Sequence, residues 1–129
     1  MISYLFLFLV FGIIGWAIDS AYCSITSKRL ESRTHLLFFS SVYAIGGIIL
    51  VMIYKNINTH FWLQLGIAVV ALTLLELLSG IFSERIMKRR YWDYSDNRWN
   101  YKGYIDVLHI CYWLVLAALF KVAFSHVLI

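Results

Sequence analysis

Residues 61–83 read FWLQLGIAVVALTLLELLSGIFS, and residues 84–104 read ERIMKRRYWDYSDNRWNYKGY. The first stretch holds a single charge, Glu76, and is about as long as the ~20 residues that cross a bilayer as helix. The second is the most polar and most aromatic part of the chain. It sets Arg85, Lys88, Arg89, Arg90, Arg98 and Lys102 among Tyr91, Trp92, Tyr94, Trp99, Tyr101 and Tyr104. A switch from an apolar run to bases and amphipathic rings marks the place where a helix leaves hydrocarbon for the headgroup layer.

The rest of the chain repeats the first half of that pattern. Apolar runs cover about residues 2–24, 36–54 and 105–128. Of 129 residues, 62% are hydrophobic and 14% charged, and there is no proline. A soluble domain is nearer half apolar and a quarter charged. Lipid offers the backbone no hydrogen-bond partners, so open-chain spans must be helical. The expected fold is an all-α integral membrane bundle of four transmembrane helices. It forms one domain over residues 1–129, with an aromatic-basic cytoplasmic loop between helices 3 and 4. The first run lacks a basic leader and a small-residue cleavage site and carries Asp19, so it reads as a mature span rather than a signal peptide. Cys23 and Cys111 lie in or beside apolar runs and read as reduced small hydrophobes.

Orientation follows from the bases. Loop one holds Lys28, Arg29 and Arg33, and with the six of loop three this side has nine of the eleven bases. Lys55 sits in the short opposite turn, and Lys121 can snorkel from span four. The positive-inside rule places loops one and three in the cytoplasm and both termini outside, with a bacterial plasma membrane the expected location. The net charge of +4 therefore points to anionic headgroups and topology, not to nucleic acid.

Span three is expected to continue through SERIMKRR as a helical extension, its bases facing the helix C-terminus and the headgroups. The aromatics then form either an interfacial belt or an ordered cap. In the cap reading, Trp92, Asp93 and Tyr94 pack against the ends of spans one and three. DYSDN would supply turn and N-cap chemistry, and Gly103 a flexible point before span four.

Ionisable groups inside spans cost roughly 2.5–3.5 kcal/mol each on insertion scales. Asp19 shares a helical face with Gly12, Gly15, Trp16 and Tyr22/Cys23. Glu76 shares one with Thr73, Ser79/Gly80 and Ser83. Span two presents Ser40, Tyr43/Ala44 and Gly47, and span four Asp106, His109, Trp113 and Ala117. In the four-span topology these groups all fall in the cytoplasmic half. They either hydrogen-bond between helices and fix the packing, or line a polar pocket open to the cytoplasm. The pocket is preferred, because carboxylates are an expensive way to join helices. Its candidate binding residues are Asp19, Ser40, Tyr43, Glu76, Ser79, Asp106 and His109. Asp19 and Glu76 are expected to share it, with His109 or Tyr43 within reach. Candidate loop contacts to headgroups or a partner are Arg89, Arg90, Trp92, Asp93, Tyr94, Ser95 and Asn100.

No metal-ligand spacing, nucleophile signature or phosphate-binding glycine loop is present, so no metal or other cofactor is expected and the chain is not itself a P-loop ATPase. His35, His60 and His126 lie at loops or span ends and read as solvated.

The stretch LLELLSGIFSERIMKRRYWDYSDNRWNYKGYIDVLHICYW, residues 74–113, resembles the C-terminal half of the CmpB-like family of ABC-transporter type IV proteins. The transmembrane protein 229 group is similar. The pattern is a membrane glutamate, a second glutamate downstream, a Trp-Asp-Tyr-Ser loop, an Asn and a Gly, then a last span. Here these are Glu76, Glu84, Trp92 to Ser95, Asn100 and Gly103. FGIIGWAID, residues 11–19, resembles the family's Gly-Trp followed by an acid, with Asp19 where a glutamate is usual. The family's proline-containing region before and in span two is replaced by SRTHLLFFSSVYAIGG, which has none. The resemblance implies a small polytopic, permease-like membrane component.

Three functions compete. One is a transport or permease-type component acting as a homo-oligomer or with other membrane or ATPase subunits, since four short spans are few for a solitary transporter. The second is an enzyme acting on a phospholipid or lipid-linked headgroup, with Asp19, Glu76 and His109 as acid/base groups and Arg89 and Arg90 attracting phosphate. The third is a non-catalytic assembly module.

Overall fold

The computed structural model describes residues 3–27 and 40–125. The loop-one bases Lys28, Arg29 and Arg33, the histidines His35 and His126, and the ends of spans two (36–39) and four (126–128) lie outside those residues, as do the side chains of Cys23, Thr26 and Ser27. The described chain is all-helical apart from one two-stranded ribbon. Four helices follow in order: α1 Tyr4–Ser27, α2 Ser41–Asn56, α3 Phe61–Arg85 and α4 Val107–Ala123. Strands β1 Asn100–Tyr101 and β2 Ile105–Asp106 pair antiparallel between α3 and α4. Two helices, α1 and α3, are long and apolar enough to cross a membrane; α2 and α4 are shorter apolar helices.

The chain divides into two compact units, Met1–Ile48 and Ile49–Ile129, and the boundary falls inside α2. In the first unit the Ser3 hydroxyl accepts from the Phe6 N–H at 3.2 Å and so caps α1. Gly15 and Gly47 set the spacing of α1 and the start of α2. A Cβ at Gly15 would run into the Tyr43 ring, and one at Gly47 into the Phe11 ring. Small residues let two apolar helices approach to backbone distance where lipid offers no hydrophobic drive. Leu7, Phe11 and Ala44 are buried there.

In the second unit α3 and α4 pack antiparallel. Trp113 meets Glu76 near one end, and Lys121 donates to Gln64 near the other. The His60 side chain caps α3 by accepting from the Leu63 N–H at 3.3 Å. The end of α2 meets α4 at Tyr54, whose hydroxyl donates to the Ala117 carbonyl at 2.8 Å. The Lys121 ammonium also lies over two rings, 5.1 Å from that of Tyr54 and 5.4 Å from that of Phe61. Leu65, Ala68, Leu72 and Ala117 are buried, while Val70, Leu74, Leu78 and Phe82 on α3 and Leu114, Val115, Leu119 and Val122 on α4 are exposed. An exposed apolar face of this kind marks a surface that meets another apolar surface, lipid or protein, rather than water.

Both helix ends that flank the loop differ from the sequence expectation. Helix α3 ends at Arg85, with Ile86 as its C-cap, so only the first three residues of SERIMKRR are helical and IMKRR is not. Lys88 then adopts a left-handed φ of 57° and turns the chain back. Helix α4 starts at Val107 instead of 105, because Ile105 and Asp106 pair as β2 and Asp106 is the N-cap.

Candidate functional site

The loop between α3 and α4 is an ordered cap built on the end of that helix pair. It is held from below by Glu76. Tyr94 donates its hydroxyl to Glu76 Oε1 at 2.8 Å, and Trp113 donates its indole N–H to Oε2 at 2.8 Å. Glu76 is only 5% exposed and Tyr94 8%. A buried carboxylate left without donors is costly, and here each oxygen receives one from a different element. Tyr94 also stacks on His109, ring centroids 3.8 Å apart at 12°.

His109 in turn belongs to the start of α4. Its backbone N–H and its Nδ1 both meet Asp106 Oδ1, at 2.8 and 2.6 Å, while Asn97 donates to Asp106 Oδ2 at 2.5 Å. Asp106 is therefore a fully buried helix cap rather than an acid within a span, and it joins the loop to α4. DYSDN contributes turns instead: the Asn97 N–H bonds to the Tyr94 carbonyl at 2.9 Å, and the Ser95 N–H to Asp93 Oδ1 at 3.0 Å.

A second knot closes the other side. Arg90 donates to Glu84 at 2.8 Å, to Asp93 at 3.1 Å and to the Lys102 carbonyl at 3.1 Å. Its guanidinium lies 4.7 Å from the Tyr104 ring, and the Tyr104 hydroxyl donates to Glu84. The planar fork of arginine suits three acceptors plus a ring face. The Glu84 bond keeps Arg90 more firmly protonated than usual and pushes the Tyr104 phenol up. The Ser95 hydroxyl and amide, then Arg90, hold the Asp93 carboxyl below the usual range. Trp92 donates its indole N–H to the Tyr104 carbonyl at 2.8 Å. Both rings lie on Gly80, where a Cβ would come 2.9 Å from Tyr104 and 3.4 Å from Trp92.

The turn of the β1–β2 ribbon explains Gly103. Lys102 and Gly103 both have positive φ, 51° and 74°, as the two centres of a I′-type turn require, and the Tyr104 N–H closes it on the Tyr101 carbonyl at 3.0 Å. Gly103 is buried, not a flexible point: its N–H bonds to Asn100 Oδ1 at 2.9 Å and its carbonyl accepts from the Tyr94 N–H at 2.9 Å. Asn100 also donates to the carbonyls of Ser95 and Asn97, at 3.2 and 2.9 Å. Lys88, Trp99 and Lys102 are non-glycine residues with left-handed φ, a geometry that costs about 1–2 kcal/mol each and persists only where surrounding bonds impose it.

The sequence candidates thus fall into separate groups. Glu76, Asp106 and His109 come together with Tyr94 in the second unit, and Ser79 lies half-buried on α3 one turn from Glu76. Asp19, Ser40 and Tyr43 belong to the first unit. There the Tyr43 hydroxyl donates to Asp19 at 3.1 Å, and the Ser40 N–H bonds to the Gly12 carbonyl at 2.8 Å. Arg90, Trp92, Asp93, Tyr94, Ser95 and Asn100 are all hydrogen-bonded within the cap, Asp93 and Ser95 from exposed positions, whereas Arg89 is exposed and lies 5.6 Å from the Tyr91 ring. Within the second unit the cap rests on α3, where the sequence expectation placed it, and also on α4. Sequence reasoning missed Trp113 as a donor, and the roles of Glu84 and Tyr104. No group of three or more His, Cys, Asp or Glu side chains is placed to hold a metal ion among the described residues.

No curated protein and no solved structure matches the chain. The model of the family described as "Putative ABC-transporter type IV" matches residues 6–129, which includes α1 from Phe6 onward, the other three helices, the cap, Glu76 and its two donors. The chain belongs to that family.

Proposed function

We propose that the chain is a non-ATPase membrane subunit of a transport-type assembly, with four membrane-crossing helices and the cap on the cytoplasmic side. The family description supports the transport link. Helices α2 and α4, of 16 and 17 residues, would measure about 24–26 Å, close to the ~30 Å hydrocarbon core and within what local thinning accommodates. The bases of the cap favour the cytoplasmic orientation. Four short helices enclose little on their own, which favours several copies or partner membrane subunits. Without a phosphate-binding loop, any ATP-driven step would belong to a separate ATPase subunit.

One observation carries the choice of a subunit over an enzyme. The acids of the second unit that face other elements are used internally: Glu76 by Tyr94 and Trp113, Glu84 by Arg90 and Tyr104, Asp106 by Asn97 and His109. Acid/base chemistry on a lipid headgroup needs a carboxylate or imidazole presented to the substrate. The Asp106–His109 contact at 2.6 Å is the feature that favours the enzymatic reading, yet Asp106 is occupied as a helix cap.

Purification of the tagged chain from its native membrane in mild detergent, followed by native mass spectrometry, tests the proposal. The expected result is a complex of several copies or of this chain with a nucleotide-binding subunit. A monomer that turns over phospholipid would replace the proposal with the enzymatic reading.

A further inference from the structure

The internal bonds of the cap leave two tips outside. The first is Ile86–Met87, 66% and 52% exposed, with Arg85, Lys88 and Arg89 around it. The second runs from Arg98 to Lys102 and carries Trp99 at 73% and Tyr101 at 53% exposure. Both tips are tied to the level at which the helices end. The Ile86 N–H bonds to the Phe82 carbonyl at 2.8 Å and the Arg89 N–H to that of Ser83 at 3.0 Å. The Trp99 carbonyl accepts from the N–H of Val107, the first residue of α4, at 3.3 Å. Left-handed backbone at Lys88, Trp99 and Lys102 forms the turns within the two tips.

The five exposed bases form no ion pair among the described residues, in contrast to Arg90. Three of them sit on rings instead. Arg98 lies 6.0 Å from the Trp99 ring, Lys102 5.6 Å from Tyr101, and Arg89 5.6 Å from Tyr91. A ring that stays at the acyl–headgroup boundary while the base beside it reaches a phosphate is the arrangement an anionic bilayer surface accommodates. A soluble acidic partner would account for the bases. It would not account for an exposed tryptophan and an exposed Ile-Met pair at the depth of the helix ends.

We propose that the two tips form a lipid-reading rim. In it Ile86, Met87, Trp99 and Tyr101 enter the interface, and Arg85, Lys88, Arg89, Arg98 and Lys102 bind the phosphates of anionic lipids. The rim rests on the reading of α3 and α4 as membrane-crossing and is independent of what the assembly transports.

The test uses the full chain in nanodiscs of phosphatidylcholine with phosphatidylglycerol, brominated on one lipid or the other. Trp99 emission is read as the difference between the chain and Trp99→Phe. Brominated phosphatidylglycerol should quench it about twofold more than brominated phosphatidylcholine at equal mole fraction, and salt should erode the difference. The combined variant Lys88→Gln, Arg89→Gln, Arg98→Gln and Lys102→Gln should keep its helical circular dichroism and lose the preference. Equal quenching by both lipids would overturn the charge-reading part and leave a plain aromatic belt. Quenching of Trp99 by aqueous iodide alone, with Trp62 and Trp113 still quenched by lipid, would overturn the rim while the spans stand. If no tryptophan is quenched by either lipid, the membrane reading itself fails and the rim with it.

Discussion

Tyr94, in the loop, donates its hydroxyl to Glu76, in the C-terminal half of α3, at 2.8 Å. This bond makes a carboxylate deep in an apolar helix the anchor of a polar cap. Because Trp113 supplies the other oxygen, the anchor joins α3, the loop and α4 at one residue. Tyr94→Phe removes one donor from a buried acceptor and should cost about 1–3 kcal/mol. Glu76→Gln should cost less. Its carbonyl can still accept from the Trp113 N–H while its amide N–H donates to the Tyr94 hydroxyl oxygen, and what is lost is the charge assistance of both bonds. In a double-mutant cycle read by thermal melting in detergent, the two costs should be clearly less than additive. Full additivity would mean that the Tyr94–Glu76 bond does not form in solution.

Arg90→Lys tests the second knot. A lysine ammonium cannot serve Glu84, Asp93 and the Lys102 carbonyl together, nor lie flat on Tyr104. Glu84 and Asp93 are 42% and 51% exposed, so the effect on global stability should stay below about 1 kcal/mol. The effect on the loop should be larger, with tryptic cleavage after Arg98 and Lys102 several-fold faster than in the unaltered chain. Unchanged cleavage would show that Arg90 is not what closes this side.

Helix α3 was legible from residues 61–83, because a continuous apolar run with one acid has few other physical solutions. The loop's composition also set it apart as the most polar and most aromatic segment of the chain. Its internal pairing was not legible. Glu76 meets Tyr94 and Trp113 across 18 and 37 residues, and no helical period links such positions. The end of α3 at Arg85 has no glycine or proline signal, and Lys88, Trp99 and Lys102 are not residue types that favour positive φ. Asp106 did carry a usable signal, an acid directly before an apolar run and three residues ahead of His109. Read as a cap rather than as part of the span, it would have placed the start of α4 correctly.

Asp93 gives the cap an acid limit. The hydroxyl and amide of Ser95, then Arg90, stabilise its charged form, so its folded pKa lies below its unfolded one. Its contribution is complete above the ordinary carboxylate value of about 4 and disappears as pH falls from there through the folded value. Trp92 emission, taken as the difference from Trp92→Phe, should be flat from neutral pH down to that range and then shift. In Ser95→Ala the shift should begin at higher pH. A midpoint that Ser95→Ala leaves in place would remove Asp93 as the titrating group.

Topology is open to direct labelling. In a background without Cys23 and Cys111, a cysteine at Asp96, exposed in the cap, should resist an impermeant thiol reagent in intact cells. One at Asn56, exposed at the far end of α2, should react. The reverse pattern would put the cap outside the cell and defeat the positive-inside assignment.

Adjacent residues of the β1–β2 turn should respond to substitution with opposite signs. Gly103 has a φ of 74°, and a Cβ there would press on Asp93 Oδ1, Arg90 Nη1 and Ser95 Oγ. Gly103→Ala therefore adds left-handed strain and crowds the Arg90–Asp93 contact, for a cost of about 1–3 kcal/mol. The damage should stay local: faster proteolysis of the loop, with helical circular dichroism retained. Lys102 has the same hand of backbone, φ 51°, but its side chain is exposed. Lys102→Gly relieves the Cβ penalty and gives back part of the gain as chain entropy, so it should stabilise the turn by less than about 1 kcal/mol. If both substitutions speed cleavage equally, the two residues are not the left-handed centres of the turn. The register Asn100↔Asp106 that places Asp106 at the start of α4 would then have to be redrawn.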